Sequence, residues 1–192
     1  MAHFFAYMAR MKYIRRWGLM KNSGTENIQE HSLQTAMIAH CLAVINNKLY
    51  GGSLDEGRVA LLAMYHEAGE VITGDLPTPI KYFNPEIKKA YKDIEGIAEQ
   101  RLLSSLPEQL RADFAPLVHQ DAGSPERRVV KYADKICAYL KCVEELRMGN
   151  QEFSRAKKTI EAELDAIEAP EVRYFMENFA PSFALTLDEM EL

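Results

Sequence analysis

Apolar residues recur at three- and four-residue intervals along this chain, and no stretch shows the sustained every-second-residue alternation of a half-buried strand. The fold is therefore expected to be all-α. The first run extends from Ala2 to about Arg15, with Phe4, Phe5, Met8 and Met11 on one side, and gives way near Trp17 and Gly18 to the loop KNSGTEN. Asn27 with Glu30 makes a capping-box pattern. The helix it opens is expected to run to about Asn46, with Leu33, Ala36, Met37, His40, Cys41, Val44 and Ile45 at core spacing. His31, on its first turn, lines up with Ile38, Leu42 and Ile45, because such separations nearly complete whole helical turns.

Ser53 and Glu56 repeat the capping-box pattern, and Val59, Leu62, Ala63 and His66 follow as one stripe that Glu70 extends by a turn. Gly74, Pro77, Pro79 and Pro85 then interrupt the helix. Further helices are expected from Pro85 to about Ser105 and from Pro107 to about Ala115, where Pro116 should end or kink the second. Ser124, Pro125 and Glu126 form a strong start signal for a helix lasting to Gly149. Two more, about Gln151 to Ala169 and Pro170 to Phe179, precede an acidic tail.

No linker or internal repeat divides the 192 residues, which predicts a single domain over residues 1–192. A formal net charge of −5 argues against a partner that is a nucleic-acid polymer, because counterion release needs clustered Lys and Arg. Cys41, Cys137 and Cys142 form no CxxC pair and fall within helical runs, as in a reducing compartment. The N-terminal charges follow and mix with the apolar residues, unlike a secretory signal, and no apolar stretch is long enough for a bilayer. A cytoplasmic protein with no membrane partner is expected.

Polar groups on core faces carry the chemistry. Asp134 interrupts the stripe Val130, Ala133, Cys137 and Leu140, and an ionised carboxylate there requires either an ion-pair partner or a metal. His31 and His66 each fall at a helix end beside acidic residues, where they read either as hydrogen-bonded core histidines or as ligands. On a continuous helix His66 and Glu70 would share a face, with Glu67 about a quarter-turn away. Two imidazoles and two carboxylates would leave open positions on one divalent ion, and open positions imply catalysis.

Together, EHSLQTAMIAH, AMYHEAGEVITGDLPTPIKYF, KYADKICAYLKC and RRWGLM resemble the bacterial HD-domain 5′-deoxynucleotidases over nearly the whole chain. The resemblance implies an HD-domain helical bundle, a homodimer, and hydrolysis of deoxyribonucleoside 5′-monophosphates to deoxynucleoside and phosphate. It places one divalent metal ion (Co, Mn, Fe, Ni, Zn or Mg) on His31, His66, Glu67 and Asp134, and gives Glu70 and Arg16 catalytic places. Substrate would meet Arg16, Trp17, His66, Asp75, Leu76, Pro77 and Thr78. Arg16 would orient the phosphate, Trp17 would select deoxyribose or serve as a core anchor, and Asp75 would accept from the sugar 3′-hydroxyl. Glu70 would order water or hydrogen-bond a ligand histidine. The family is named for adjacent His-Asp, whereas this chain has His66-Glu67, one methylene longer. That departure keeps a regulatory nucleotide-binding module with an impaired metal site as the alternative, beside HD phosphohydrolases acting on cyclic or triphosphate nucleotides.

Overall fold

The computed structural model describes residues 1–81 and 83–190, without the Thr78 side chain. Among the described residues there is no β-strand, only an isolated bridge between Arg15 and Asn27. Ten α-helices are described: α1 Phe4–Met8, α2 Ile28–Tyr50, α3 Glu56–Tyr65, α4 Glu70–Thr73, α5 Thr78–Lys81, α6 Pro85–Ser104, α7 Glu108–Val118, α8 Pro125–Arg147, α9 Ser154–Asp165 and α10 Pro170–Asn178. No described helix is long and apolar enough to cross a membrane.

The two long helices, α2 and α8, form the centre, with α3, α9 and α10 packed around them. Ala39, Leu42 and Ala43 of α2, Val59 and Ala63 of α3 and Val130, Ile136 and Leu140 of α8 are almost wholly buried in this core. A second cluster joins Phe4, Ala68, Leu102, Leu106 and Val118 where α1, α6 and α7 close over one end of α3. The Asn27 capping box forms as expected, with the side chain accepting from Gln29 and Glu30 backbone N–H groups.

Several expectations need correction. The first helix stops at Met8 and tightens into a 3₁₀ segment over Ala9–Tyr13. α2 continues to Tyr50 because Gly51, at φ 70°, supplies the left-handed stop, while the Asn46 and Asn47 side chains bond outside the helix. Leu33, Met37 and His40 are exposed, since the core takes a neighbouring stripe through Thr35, Ala36, Ala39, Leu42 and Ala43. Asp55 rather than Ser53 caps α3, accepting the Arg58 N–H at 2.8 Å. Pro116 lies within α7 near its end, where its missing N–H costs a single ladder bond and His119 N–H still reaches the Ala115 carbonyl at 2.8 Å.

The consequential difference lies at the end of α3. The continuous helix expected through Glu70 breaks after Tyr65 because two carbonyls are claimed from the side: Gln120 Nε2 donates to Leu62 at 2.7 Å, and His66 Nδ1 donates to Ala63 at 2.6 Å. The backbone then winds tightly, with Glu70 N–H reaching Glu67 and Ile72 N–H reaching Gly69. Residues three apart eclipse in such winding. Glu67 and Glu70 are therefore the pair brought together, rather than His66 and Glu70.

Candidate active site and metal centre

α2 supplies His31 from its first turn, the tight turn after α3 supplies His66 and Glu67, and α8 supplies Asp134. One donor atom from each lies within 4.8 Å of every other. The longer Glu67 side chain reaches this cluster. His31 Nε2 stands 3.1 Å from Asp134 Oδ1, and His66 Nε2 stands 3.1 Å from Glu67 Oε1. Asp134 is less buried than its stripe implied, its side chain being 39% exposed.

The donor set fits a divalent cation. With Nδ1 of His66 donating to Ala63, the neutral ring presents its Nε2 lone pair to a carboxylate oxygen 3.1 Å away, so a proton or a cation must stand between them. Two acceptors meeting in this way call for a positive charge between them. Imidazole nitrogens with hard carboxylate oxygens suit Zn, Mn, Fe, Co or Ni. Burial, reinforced by Arg16, lowers the His31 pKa and keeps that imidazole neutral, as a ligand must be. For His66, burial opposes protonation, but the Glu67 carboxylate outweighs it and the pKa rises.

Arg16 reaches the same cluster, with Nη2 4.0 Å from Asp134 Oδ1, while Arg15 is exposed. Its Nη1 is buried and has no hydrogen-bond partner. An unpaired buried guanidinium N–H costs free energy that a phosphate oxygen would recover. Glu70 is 9% exposed; burial first, then the charges of Glu67 and Asp75, push its pKa up to about 10. Asp75, half-buried, also rises through burial while Arg16 pulls the other way, so the two lie within electrostatic reach.

Leu76 and Pro77 continue from Asp75 as a half-buried loop, and Thr78 opens α5 with its side chain outside the described part. Trp17 takes the left-handed backbone at φ 59°, rare for a bulky residue. Its ring packs on Phe153 with centroids 5.4 Å apart, so it is anchored as well as placed beside Arg16. The residues that sequence reasoning missed are Glu26, which receives the Trp17 indole N–H, and Gln120, which helps to end α3. Glu26 precedes the capping Asn27 and carries no periodic signal, while Gln120 lies between helices.

The fold defines the class: this is the helical architecture of HD-domain phosphohydrolases. An HD-domain phosphohydrolase from Listeria innocua superposes with a TM-score of 0.82 at 20% identity, covering 94% of this chain and 88% of the other. The cyanophage HD phosphohydrolase DatZ, solved bound to dA and one catalytic Zn2+ ion, gives a TM-score of 0.63 at 19% identity over 92% of this chain and 96% of its own. Sequence relatives are nearer. The 5′-deoxynucleotidase of Vibrio cholerae is 59% identical over 98% of both chains. The 5′-deoxynucleotidase YfbR of Escherichia coli K12 is 57% identical over 98% of this chain and 96% of that one. Residues 3–183 match the 5′-deoxynucleotidase YfbR-like family, and the chain belongs to it.

Proposed function

We propose that the protein is a metal-dependent phosphomonoesterase that cleaves deoxyribonucleoside 5′-monophosphates into deoxynucleoside and inorganic phosphate. The observation that carries this reading is the gathering of four donor atoms within 4.8 Å beside the unpaired, buried Nη1 of Arg16. Phosphomonoester hydrolysis needs charge neutralisation on the phosphate and an activated water close by. His31, His66, Glu67 and Asp134 would hold a divalent ion, which when bound would supply Lewis acidity toward the phosphate and lower the pKa of water. The chain's own residues do the rest.

Arg16 binds the phosphate through its planar fork and holds phosphorus in line with the attacking water. Glu70 handles the proton. Its high proton affinity comes first from burial and then from the negative charges of Glu67 and Asp75, and a cation on Glu67 would remove part of the second contribution. That suits Glu70 to take a proton as the water oxygen bonds to phosphorus, and to return one to the 5′-oxygen as the ester bond breaks. His66, Leu76, Pro77 and Thr78 flank the substrate, Asp75 accepts from the sugar 3′-hydroxyl, and Trp17 occupies the space that a 2′-hydroxyl would require.

We further propose a homodimer. Its support is a short apolar stripe on α2, where Leu33 and Met37, one turn apart, are 51% and 63% exposed. A monomer seldom leaves such a stripe to water.

The functional test is phosphate release from mono-, tri- and cyclic nucleotides by metal-stripped protein, with Mn, Co, Mg or Zn restored singly. Release from deoxynucleoside monophosphates that appears only with added metal is expected. Release from cyclic or triphosphate nucleotides alone would transfer the protein to another HD activity, and binding without turnover would make it a regulatory module.

A further inference from the structure

Glu26 donates nothing to the metal cluster, yet its carboxylate meets three functional side chains at once. One oxygen accepts the Trp17 indole N–H at 3.1 Å and lies 3.8 Å from Arg16 Nε; the other lies 3.7 Å from His31 Nδ1. Its side chain is 13% exposed. The Glu26 backbone is also pinned, its carbonyl accepting from Arg16 N–H at 2.9 Å, with the Arg15–Asn27 bridge and an Ile28 N–H to Ile14 carbonyl bond on its flank. His31 Nδ1 itself is buried and lacks a hydrogen-bond partner. It is the nitrogen that must carry the proton if Nε2, beside Asp134, faces a cation.

We infer that Glu26 is a positioning residue: it orients His31 for the metal with one oxygen while holding Trp17 and Arg16 for the nucleotide with the other, so that cation affinity and sugar selection share one carboxylate. The inference rests on the metal reading above. A contraction of less than an ångström converts the His31 approach into a hydrogen bond, which fixes the tautomer and strengthens Nε2 as a donor to the cation. The same carboxylate helps to hold Trp17 in its left-handed backbone.

The test compares wild type, Glu26→Gln and Glu26→Ala as metal-stripped full-length chains titrated with cobalt, following the visible absorption of the bound ion. Glu26→Gln keeps one oxygen for Trp17 but loses the charge facing His31 and Arg16. Its cobalt affinity is expected to fall about 10–100-fold with an altered spectrum, while its preference for deoxyribonucleotides over ribonucleotides persists. Glu26→Ala should show the same affinity loss and also a relaxed preference. Wild-type affinity and spectrum in both variants would overturn the role of Glu26, whereas a wild-type chain that takes up no cobalt would overturn the metal reading and this inference with it. A measurement on wild type alone guards against misfolded variants. Trp17 is the chain's one tryptophan, so titrating spectroscopically silent zinc should shift its fluorescence along the binding curve. A flat signal while zinc binds would contradict the coupling.

Discussion

Glu67 is the residue at which this chain departs from the motif of its fold class, and the structure gives a physical reason why the departure can be borne. The tight turn after Tyr65 frees Glu67 from the helical ladder, and its carboxylate reaches the other three donors. Glu67→Gln removes charge without volume and is expected to lower metal affinity by at least the roughly 10–100-fold typical of outer partners, as read by equilibrium titration. Glu67→Asp is expected to bind metal and release phosphate within a few-fold of wild type; a large gain in both would mean that the glutamate holds the ion poorly. Trp17→Ala should raise activity on ribonucleotides relative to deoxyribonucleotides, measured as the ratio of kcat/KM values. An unchanged ratio would leave Trp17 only its packing on Phe153. Asp134 stood out in the sequence as a carboxylate on an apolar face, and resemblance grouped it with His31, His66 and Glu67, which the fold gathers within 4.8 Å. Glu26 was not legible, because a loop carboxylate has no periodicity to violate.

The loop that carries Trp17 and Glu26 is fastened to α8 by a buried network. Glu145, 1% exposed, accepts from Lys141, Asn150 and the backbone N–H groups of Ser23 and Gly24, and Lys141 also donates to the Gly24 carbonyl at 2.7 Å. Burial alone would raise the Glu145 pKa, but these donors outweigh it and hold it down to about 2. A depressed carboxylate stabilises the fold above its unfolded pKa, near 4.5, and the benefit is lost as pH falls toward 2. Glu145→Gln should therefore cost on the order of 2–3 kcal/mol at pH 7, and its Tm deficit should shrink on acidification from about pH 5 toward pH 2. A deficit that ignores pH would remove the ionised network as its source. The long helices α2, α6 and α8 were readable from period and caps, whereas the 3₁₀ segment Ala9–Tyr13 and the short α5 were not. Nor was the break after α3, since it depends on Gln120 and the His66 ring taking carbonyls that the sequence assigned to the ladder.

At the scale of the molecule, two buried clusters hold α2, the turn after α3 and α8 in the register that gathers His31, His66, Glu67 and Asp134, while the other side of α2 leaves Leu33 and Met37 exposed. Periodicity alone could not divide α2 between these faces, because both read as apolar and only packing against α3, α8 and α10 decides which is inside. If the stripe is the dimer face, Leu33→Glu with Met37→Glu should halve the mass seen by analytical ultracentrifugation with helical content retained; an unchanged mass would move the interface elsewhere. On the proposed reading His31, His66, Glu67 and Asp134 share one ion. Titrating metal-stripped protein with zinc by calorimetry is the direct measurement. One ion per chain is expected for wild type, with uptake abolished in His31→Ala and Asp134→Ala variants that remain folded, whereas wild-type stoichiometry and affinity in both would contradict it.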